Sequence, residues 1–252
     1  MKEIKKFKSL WDLFSDRFGK TIFHPQFFAK TFAWEAVTLA EKKSHGVLLD
    51  IGCGRMPYRE VLLPKVKKYI GLDHPETSKL YDGAIKPDIY AEAENIPLKS
   101  SSIDTVLMLM VLEHLDDPQK VLLEIKRILK PKGTFIFSTV QMYPVHDAPF
   151  DYFRYTRFGL QQLLKKSGFT TQKIVSQGSF WKFWGLSLNV YLFQTILSLI
   201  KNKTTIPLGL VLVFPFYFIT IGINILMSLL SEFSDDTKSK FNISHVVFAK
   251  PK

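Results

Sequence analysis

A segment rich in groups that bind ligands and exchange protons lies at residues 143–156. Its His146 is the first candidate for a general base, because the unperturbed pKa of histidine lies near neutrality. Asp151 is a candidate to orient that imidazole, and Arg154 a candidate to hold an anionic group of a substrate. Two other interpretations stay open: Asp151 and Arg154 pair and pin the loop, or His146 makes only a structural hydrogen bond.

A second informative run, Val47 to Gly54, reads Val-Leu-Leu-Asp-Ile-Gly-Cys-Gly. It predicts a hydrophobic strand that ends in an acid, Asp50, and then a tight turn at Gly52, Cys53 and Gly54. Because glycine has no Cβ, the backbone can turn sharply there and let a ligand approach closely. A strand, a glycine-rich turn and a helix start form the nucleotide pocket of doubly wound α/β domains.

The turn lacks the third glycine of the dinucleotide fingerprint, since Gly54 is followed by Arg55, Met56 and Pro57. The third glycine lets a pyrophosphate sit on the helix N-terminus. An acid before the turn would repel a pyrophosphate but suits a cationic amino-acid ligand. The run therefore argues against a dehydrogenase. Further along, Tyr69–Asp73 predicts a second strand, whose final acid can accept hydrogen bonds from ribose hydroxyls.

These motifs resemble those of the class I S-adenosylmethionine-dependent methyltransferases, whose first motif is D-x-G-x-G. The resemblance covers residues 22–177 and a closing strand near 243–250, and it implies S-adenosylmethionine as the cofactor. Glu92 stands where the family usually has aspartate near the adenine, and Met108 lies on the strand that borders the methionine part. The implied cofactor-binding residues are Asp50, Gly52, Cys53, Gly54, Asp73, Glu92, Ala93 and Met108.

The chain also resembles a subset of type 11 methyltransferases that carries G-C-G-x-x-P-Y and H-x-x-P-x-D-x-x-R-x-T. Gly52–Tyr58 and His146–Thr156 fill these two patterns. The family resemblance places His114, after the fourth strand, near the active site, where it is catalytic or only shapes the loop. Tyr58 and Tyr152 are expected, with the arginine of the second pattern, to bind the substrate.

Strand and helix patterns alternate along most of the chain. Asp116-Asp117-Pro118 and Thr156 are predicted helix N-termini, and Gly168 a predicted helix end. The order predicts an α/β fold: a Rossmann-like seven-stranded, mainly parallel sheet with helices on both faces, plus an apolar helical insert before the last strand. The predicted parts are amphipathic helices or a lid (1–45), the S-adenosylmethionine-binding domain (46–178), the insert (179–235) and the final strand (240–252).

The chain has a formal net charge of +11 and a pI of about 9.5. Such proteins meet nucleic acids or anionic membrane surfaces. The charges flank apolar segments and form no compact basic stripe with interleaved aromatics, so we expect an anionic membrane surface and no nucleic acid. A generally basic cytosolic protein is the alternative. One cysteine excludes an intrachain disulfide, and no Cys/His cluster has zinc spacing, so no metal is expected.

Residues 2–18 predict a basic amphipathic helix with apolar residues at steps of three and four. Such a helix can lie in a lipid interface or pack on the catalytic domain as a lid. It lacks the features of a secretory signal, so we expect it to be retained. A second helix is predicted from Pro25 to about Lys43.

Two uncharged apolar segments, 183–200 and 208–230, are separated by Lys201-Asn202-Lys203. About 20 such residues suffice to cross a bilayer. Because the strands on either side should share one sheet, the chain crosses twice or not at all. A double crossing would put both lysines on the far side, against the positive-inside tendency, and Pro207 and Pro215 are expected to interrupt the helices. We therefore favour a shallow hairpin that dips into one leaflet, while a spanning hairpin and a soluble insert stay open.

Together these features predict an S-adenosylmethionine-dependent methyltransferase that acts on a lipid-linked, glycan or other small-molecule acceptor. We expect it in the cytoplasm, associated with the inner face of the cell membrane. Two alternatives are a soluble small-molecule methyltransferase whose insert serves oligomerisation and a non-catalytic cofactor-binding scaffold.

Overall fold

The computed structural model describes residues 14, 15, 17–78, 86–233 and 240–252. The chain divides into two compact units, one of Met1–Trp34 with Gly178–Ile243 and one of Glu35–Gln177 with Ser244–Lys252. The predicted amphipathic helix at 2–18 falls largely outside the described residues.

The unit that contains Glu35–Gln177 is built on a seven-stranded sheet. Its strands are β1 Val47–Ile51, β2 Lys68–Asp73, β3 Ile89–Tyr90, β4 Ile103–Leu109, β5 Leu129–Val140, β6 Phe169–Gln177 and β7 Ser244–Pro251. The order is β3-β2-β1-β4-β5-β7-β6, in which β7 is antiparallel to both neighbours and all other pairings are parallel. The predicted Rossmann-like fold is confirmed.

Helices cover both faces of this sheet. They are α1 Phe27–Glu41, α2 Arg59–Leu62, α3 Pro75–Ser78, α4 Pro118–Ile128 and α5 Arg157–Lys166, with 3-10 turns at Leu63–Lys65 and Leu112–His114. Side chains alternate between the two faces along β1. Leu49 therefore joins the core beneath α4 and α5, while Leu48 joins a second core with Ala36 and Ala40 of α1.

The ends of α4 and α5 follow the predicted capping residues. The Asp117 side chain accepts a hydrogen bond from Lys120 N at 3.0 Å, and Thr156 Oγ1 accepts one from Gly159 N at 3.1 Å. Gly168 has a φ of +75° just after α5, the left-handed conformation that commonly ends a helix. These caps fix where α4 and α5 begin, and so the lengths of the loops before them.

The other unit holds two long apolar helices, α6 Phe180–Lys201 and α7 Ile206–Phe233. The expectation that Pro207 and Pro215 interrupt helices is wrong. Pro207 lies in the first turn of α7, where its missing N–H would have no helical partner. Pro215 lies inside a continuous helix, and the ring of the next residue, Phe216, stacks on Phe193 of α6 with the centroids 6.5 Å apart.

Candidate active site

The turn after β1 brings the backbone close to the loop that follows β4. Gly52 and Gly54 have φ values of +70° and +52°, which glycine adopts without steric penalty. The N–H groups of Gly52 and Cys53 donate to the carbonyl oxygen of Leu72, at 2.8 and 3.1 Å. A Cβ on Gly52 would overlap the side chain of Val111. The turn thus forms a backbone cradle, packed against Val111, at the carboxyl ends of β1, β2 and β4, the usual ligand position in such sheets.

Asp50, at the carboxyl end of β1, is the acid beneath the cradle. Its carboxylate is buried and accepts a hydrogen bond from the Tyr69 hydroxyl. Burial raises the pKa of Asp50 to about 7, the Tyr69 bond opposes this rise, and the charge of Asp73 adds to it. Near neutral pH this carboxyl is therefore close to half ionised, and a cationic ligand beside it would favour the ionised form.

Asp73 ends β2 and ties that strand to the glycine turn. Its Oδ2 accepts a hydrogen bond from Gly54 N and its Oδ1 one from His74 N, both at 2.7 Å. Burial raises the pKa of Asp73, and these two backbone bonds oppose the rise. Each carboxylate oxygen keeps a second lone pair for a hydroxyl ligand.

Cys53 and Tyr58 lie in the core on the Asp50 side of the sheet. Cys53 is a buried free thiol whose pKa is raised by burial. Tyr58 packs partly buried against the same core, and burial followed by the charge of Asp50 raises its pKa to about 12. Both side chains are therefore neutral at physiological pH.

The other predicted cofactor residues differ in exposure. Glu92 is exposed and Ala93 half-buried in the turn after β3. The Met108 side chain is wholly buried in the core, so a ligand there would meet backbone. Met110, just past β4, has a φ of +56° and donates its N–H to Ser138 O at 2.9 Å. This bond turns the chain sharply out of the sheet.

Arg154 is held entirely within the loop after β5. Its terminal nitrogens donate to the two carboxylate oxygens of Asp151, both at 2.6 Å. The remaining N–H groups donate to the carbonyl oxygens of Tyr143, Phe153 and Pro144, at 3.1, 2.8 and 3.3 Å. All five guanidinium donors are thereby used. The geometry favours the pinning role that the sequence left open over a role in holding a substrate anion.

Asp151 connects this pinned arginine to His146. Arg154 first, and the backbone N–H of His146 next, hold the pKa of Asp151 well below its usual range. The Nδ1 atom of His146 lies 3.3 Å from both Asp151 Oδ2 and Pro144 O. Burial lowers the pKa of His146, and the charge of Asp151 opposes this. Asp151 is thus within reach of the imidazole that it was expected to orient, and that role stays a prediction.

His114 and Glu113 face the same loop from the end of β4. The ring of His114 lies 4.8 Å from that of His146, edge to face, and its Nδ1 is 2.7 Å from Phe150 O. Glu113 is fully buried, which raises the pKa of its carboxyl. Its Oε2 accepts a hydrogen bond from Thr139 Oγ1 at 2.8 Å. The two segments that follow β4 and β5 therefore meet at a histidine pair.

Residues that sequence patterns did not single out complete the site. Thr139 is indistinguishable in sequence from other strand residues, and only its bond to Glu113 reveals it. The Tyr155 hydroxyl is buried without a hydrogen-bond partner among the described residues, and burial raises its pKa. Its place inside the R-x-T pattern was an available signal. Tyr152, by contrast, was expected from the sequence to bind the substrate; it is 46% exposed and so is accessible to a ligand.

The cradle fits S-adenosylmethionine. Gly52 packs so closely on Val111 that only glycine fits the turn. The carboxylate of Asp73 offers acceptors to ribose hydroxyls, and Asp50 suits a cationic amino-acid group. Fold and cradle together define a class I S-adenosylmethionine-dependent methyltransferase.

Comparison with known proteins agrees. Residues 49–137 match the family described as a methyltransferase domain. A probable S-adenosylmethionine-dependent methyltransferase of Mycolicibacterium smegmatis is 28% identical over 143 residues, 53% of this chain and 56% of that protein. The ubiquinone biosynthesis O-methyltransferase of Saccharophagus degradans is 30% identical over 154 residues, 56% of this chain and 63% of that protein. An S-adenosylmethionine-dependent methyltransferase from Mesorhizobium loti shares the fold, with a TM-score of 0.52 at 15% identity over 86% of this chain and 96% of that one.

Residues 49–137 are thus similar to this methyltransferase family, and the matches support S-adenosylmethionine as the cofactor. The matched segments span less than two thirds of the length of these two curated relatives.

Proposed function

We propose that the protein transfers a methyl group to a lipid-linked, glycan or other small-molecule acceptor at the inner face of the cell membrane. Bound S-adenosylmethionine supplies a methyl group that is already activated on a sulfonium. The protein then has mainly to align that group with the acceptor. The observation that carries the membrane part of the proposal is the apolar helix pair in the same chain as the cofactor cradle.

The two helices have the length and composition of membrane-embedded segments. Phe180–Lys201 and Ile206–Phe233 are both long and apolar enough to cross a bilayer. Only 17% of the most apolar stretch of the second helix is buried, whereas a core helix of a soluble protein is mostly buried. Val211 and Phe214 are 71% and 70% exposed. An apolar surface of this extent calls for an apolar environment.

Polar groups of the pair point inward and bond to one another. Asn189 Nδ2 donates to Asn224 Oδ1 at 2.9 Å, and the Asn224 amide donates to Ile22 O and His24 O at 2.8 and 3.1 Å. The hydroxyl oxygens of Ser179 and Ser231 lie 2.8 Å apart. Such interhelical bonds hold helices together where lipid removes the hydrophobic driving force. The exposed side chains of α7 are largely apolar, which supports burial in lipid, whereas α6 also exposes Gln194, Thr195 and Ser198.

The position of the helix pair in the bilayer follows from its charges. Lys201 and Lys203 lie exposed at the turn between the helices. We infer that the pair lies along one leaflet, so that these lysines reach anionic headgroups rather than the far side of the membrane. This arrangement agrees with the net charge of +11.

A hydroxyl acceptor must also lose its proton, and the histidine pair is the candidate site for this step. His146, supported by Asp151, and His114 lie beyond the ends of β5 and β4, where ligands of open α/β sheets bind. His146→Ala should lower turnover strongly while calorimetry still detects S-adenosylmethionine binding. Unchanged turnover would remove His146 from the proposal, and failure of the unaltered protein to bind S-adenosylmethionine would overturn the enzyme assignment itself.

Flotation with vesicles of phosphatidylglycerol and phosphatidylcholine tests the membrane part. The unaltered protein should float with the vesicles, and Val211→Asp combined with Phe214→Asp should keep it in the lower fractions. Leu123→Asp is the matched control, because Leu123 is 50% exposed on α4 in the other unit, and this variant should float. If the unaltered protein stays below as a soluble oligomer, the helix pair serves self-association and the membrane proposal fails.

A further inference from the structure

Three side chains with metal-binding groups converge at the ends of β4 and β5. Glu113 and His114 follow β4, and His146 follows β5. One potential ligand atom of each lies within 4.8 Å of the other two. The histidines are 32 positions apart along the chain, which resembles no short metal-binding motif. The sequence therefore predicts no metal site.

The two imidazoles are oriented by atoms that can only accept hydrogen bonds. Nδ1 of His114 lies 2.7 Å from Phe150 O, and Nδ1 of His146 lies 3.3 Å from Pro144 O and from Asp151 Oδ2. Each Nδ1 must therefore carry the proton, which leaves the lone pair of the neutral ring on Nε2. Metal-binding histidines are held in this way, with one nitrogen donating to a carbonyl or carboxylate and the other facing the ion.

Glu113 supplies an independent observation that points to a cation. The residue is fully buried, and only Oε2 has a partner, the hydroxyl of Thr139. Oε1 has no hydrogen-bond partner among the residues that the structure describes. A buried carboxylate oxygen without a partner is costly, and a bound cation would satisfy it.

We propose that Glu113, His114 and His146 bind a divalent first-row transition-metal ion, with Zn²⁺ as the representative case. Two imidazoles and one carboxylate suit such an ion better than Mg²⁺ or Ca²⁺, which prefer oxygen ligands. Three protein ligands leave a coordination position open, as in catalytic zinc sites. Ligand atoms around a tetrahedral zinc lie about 3.4 Å apart, so small side-chain rotations close the site around the ion.

This inference rests on the proposed methyl transfer and specifies how the histidine pair promotes it. An acceptor hydroxyl at the open position becomes more acidic and loses its proton to water. Its oxygen then forms a bond to the methyl carbon as the carbon–sulfur bond breaks, which leaves S-adenosylhomocysteine. Because the Nε2 lone pair of His146 is engaged by the ion, Asp151 is a positioning residue that holds the ring.

The test is metal binding by the tag-free full chain after treatment with a chelator. Calorimetry with Zn²⁺ should give one ion per chain, and Co²⁺ should give the visible absorption bands of a four-coordinate site. His114→Ala and His146→Ala should each weaken Zn²⁺ binding by more than about tenfold, the smallest loss usual when even a supporting contact of a metal site is removed. His45→Ala is the control, because His45 is exposed and outside the cluster.

Binding of S-adenosylmethionine is measured on the same samples, so the two proposals can fail separately. A protein that binds the cofactor but neither Zn²⁺ nor Co²⁺ overturns the metal site and leaves methyl transfer standing. Equal Zn²⁺ affinity in His146→Ala and in the unaltered protein also overturns the site. Absence of cofactor binding in the unaltered protein refutes the methyltransferase proposal instead.

Discussion

Replacement of Asp50 by asparagine tests the electrostatic design of the cofactor cradle. Asp50 is buried, and its pKa is raised from 3.8 to about 7 by that burial. The ionisable groups around it are Tyr69, Cys53, Tyr58 and Asp73. Burial raises the pKa of the first three still further from neutrality, and the charge of Asp73 adds to the rise in the pKa of Asp50.

The raised pKa of Asp50 has a defined effect on stability. Between pH 4 and 7 the folded protein keeps a proton on Asp50 that the unfolded chain has lost, so the free energy of unfolding falls as pH rises through this window. One pKa unit corresponds to about 1.4 kcal/mol, and the rise from 3.8 to about 7 is therefore worth on the order of 4 kcal/mol. Asp50→Asn removes this contribution, so the variant should gain stability relative to the unaltered protein as pH rises from 4 to 7.

Cofactor binding should show the opposite preference, because a cationic ligand favours the ionised carboxylate. If Asp50 must ionise on binding, affinity at pH 6 should be about eightfold weaker than at pH 7.5, since most of the free protein holds the proton at the lower pH. Asp50→Asn should bind more weakly and without this pH dependence. Tyr69→Phe removes a hydrogen bond that lowers the pKa of Asp50. In this variant the rise of cofactor affinity with pH should therefore occur at higher pH.

Calorimetry at several pH values measures these affinities, and urea unfolding measures the stabilities. S-adenosylhomocysteine is a useful second ligand, because it keeps the ammonium group and lacks the sulfonium. The same pH dependence with both ligands would identify the ammonium as the partner. If the affinity of the unaltered protein for the cofactor does not change with pH, Asp50 does not bind the cofactor. The same follows if the affinity of Asp50→Asn shows the pH dependence of the unaltered protein.

Three further substitutions test local features. Gly52→Ala places a Cβ against Val111 at a φ of +70°, so S-adenosylmethionine affinity should fall about tenfold or more by calorimetry; unaltered affinity would mean that the cradle can shift freely. Arg154→Ala removes the ion-pair partner of the buried Asp151 carboxylate, so the free energy of unfolding measured in urea should fall by about 3 kcal/mol. Arg154→Lys should recover only part of this loss, because lysine cannot donate bidentately. Asp117→Ala removes the cap of α4 and should lower stability by about 1 kcal/mol; a loss near zero would show that solvent replaces the cap.

The turn after β1 could be predicted from sequence because its determinants are local. Asp50, Gly52 and Gly54 act through a turn of a few residues, where hydrophobic strand, acid and glycine are read directly. The same holds for Thr156 and Asp117, whose side chains cap the helices that begin beside them. Backbone conformation over such short distances depends little on the rest of the chain.

The role of Arg154 could not be read in this way. Residue type alone allowed substrate binding or pairing with Asp151, and the choice depends on whether donors remain free. Three backbone carbonyl oxygens of the folded loop accept hydrogen bonds from the guanidinium N–H groups that do not bind the Asp151 carboxylate. Their positions follow from the loop path, which sequence patterns do not specify.

The histidine pair and the course of α7 belong to tertiary structure alone. Glu113 and His146 meet because β4 and β5 are parallel neighbours, which brings two loops distant in sequence to the same edge of the sheet. Pro215 lies in an unbroken helix although proline removes one backbone hydrogen bond, and the next residue, Phe216, stacks on Phe193 of α6. Local patterns therefore identify turns, caps and the cradle, whereas contacts between distant segments, which depend on strand order and packing, determine how the polar groups are used.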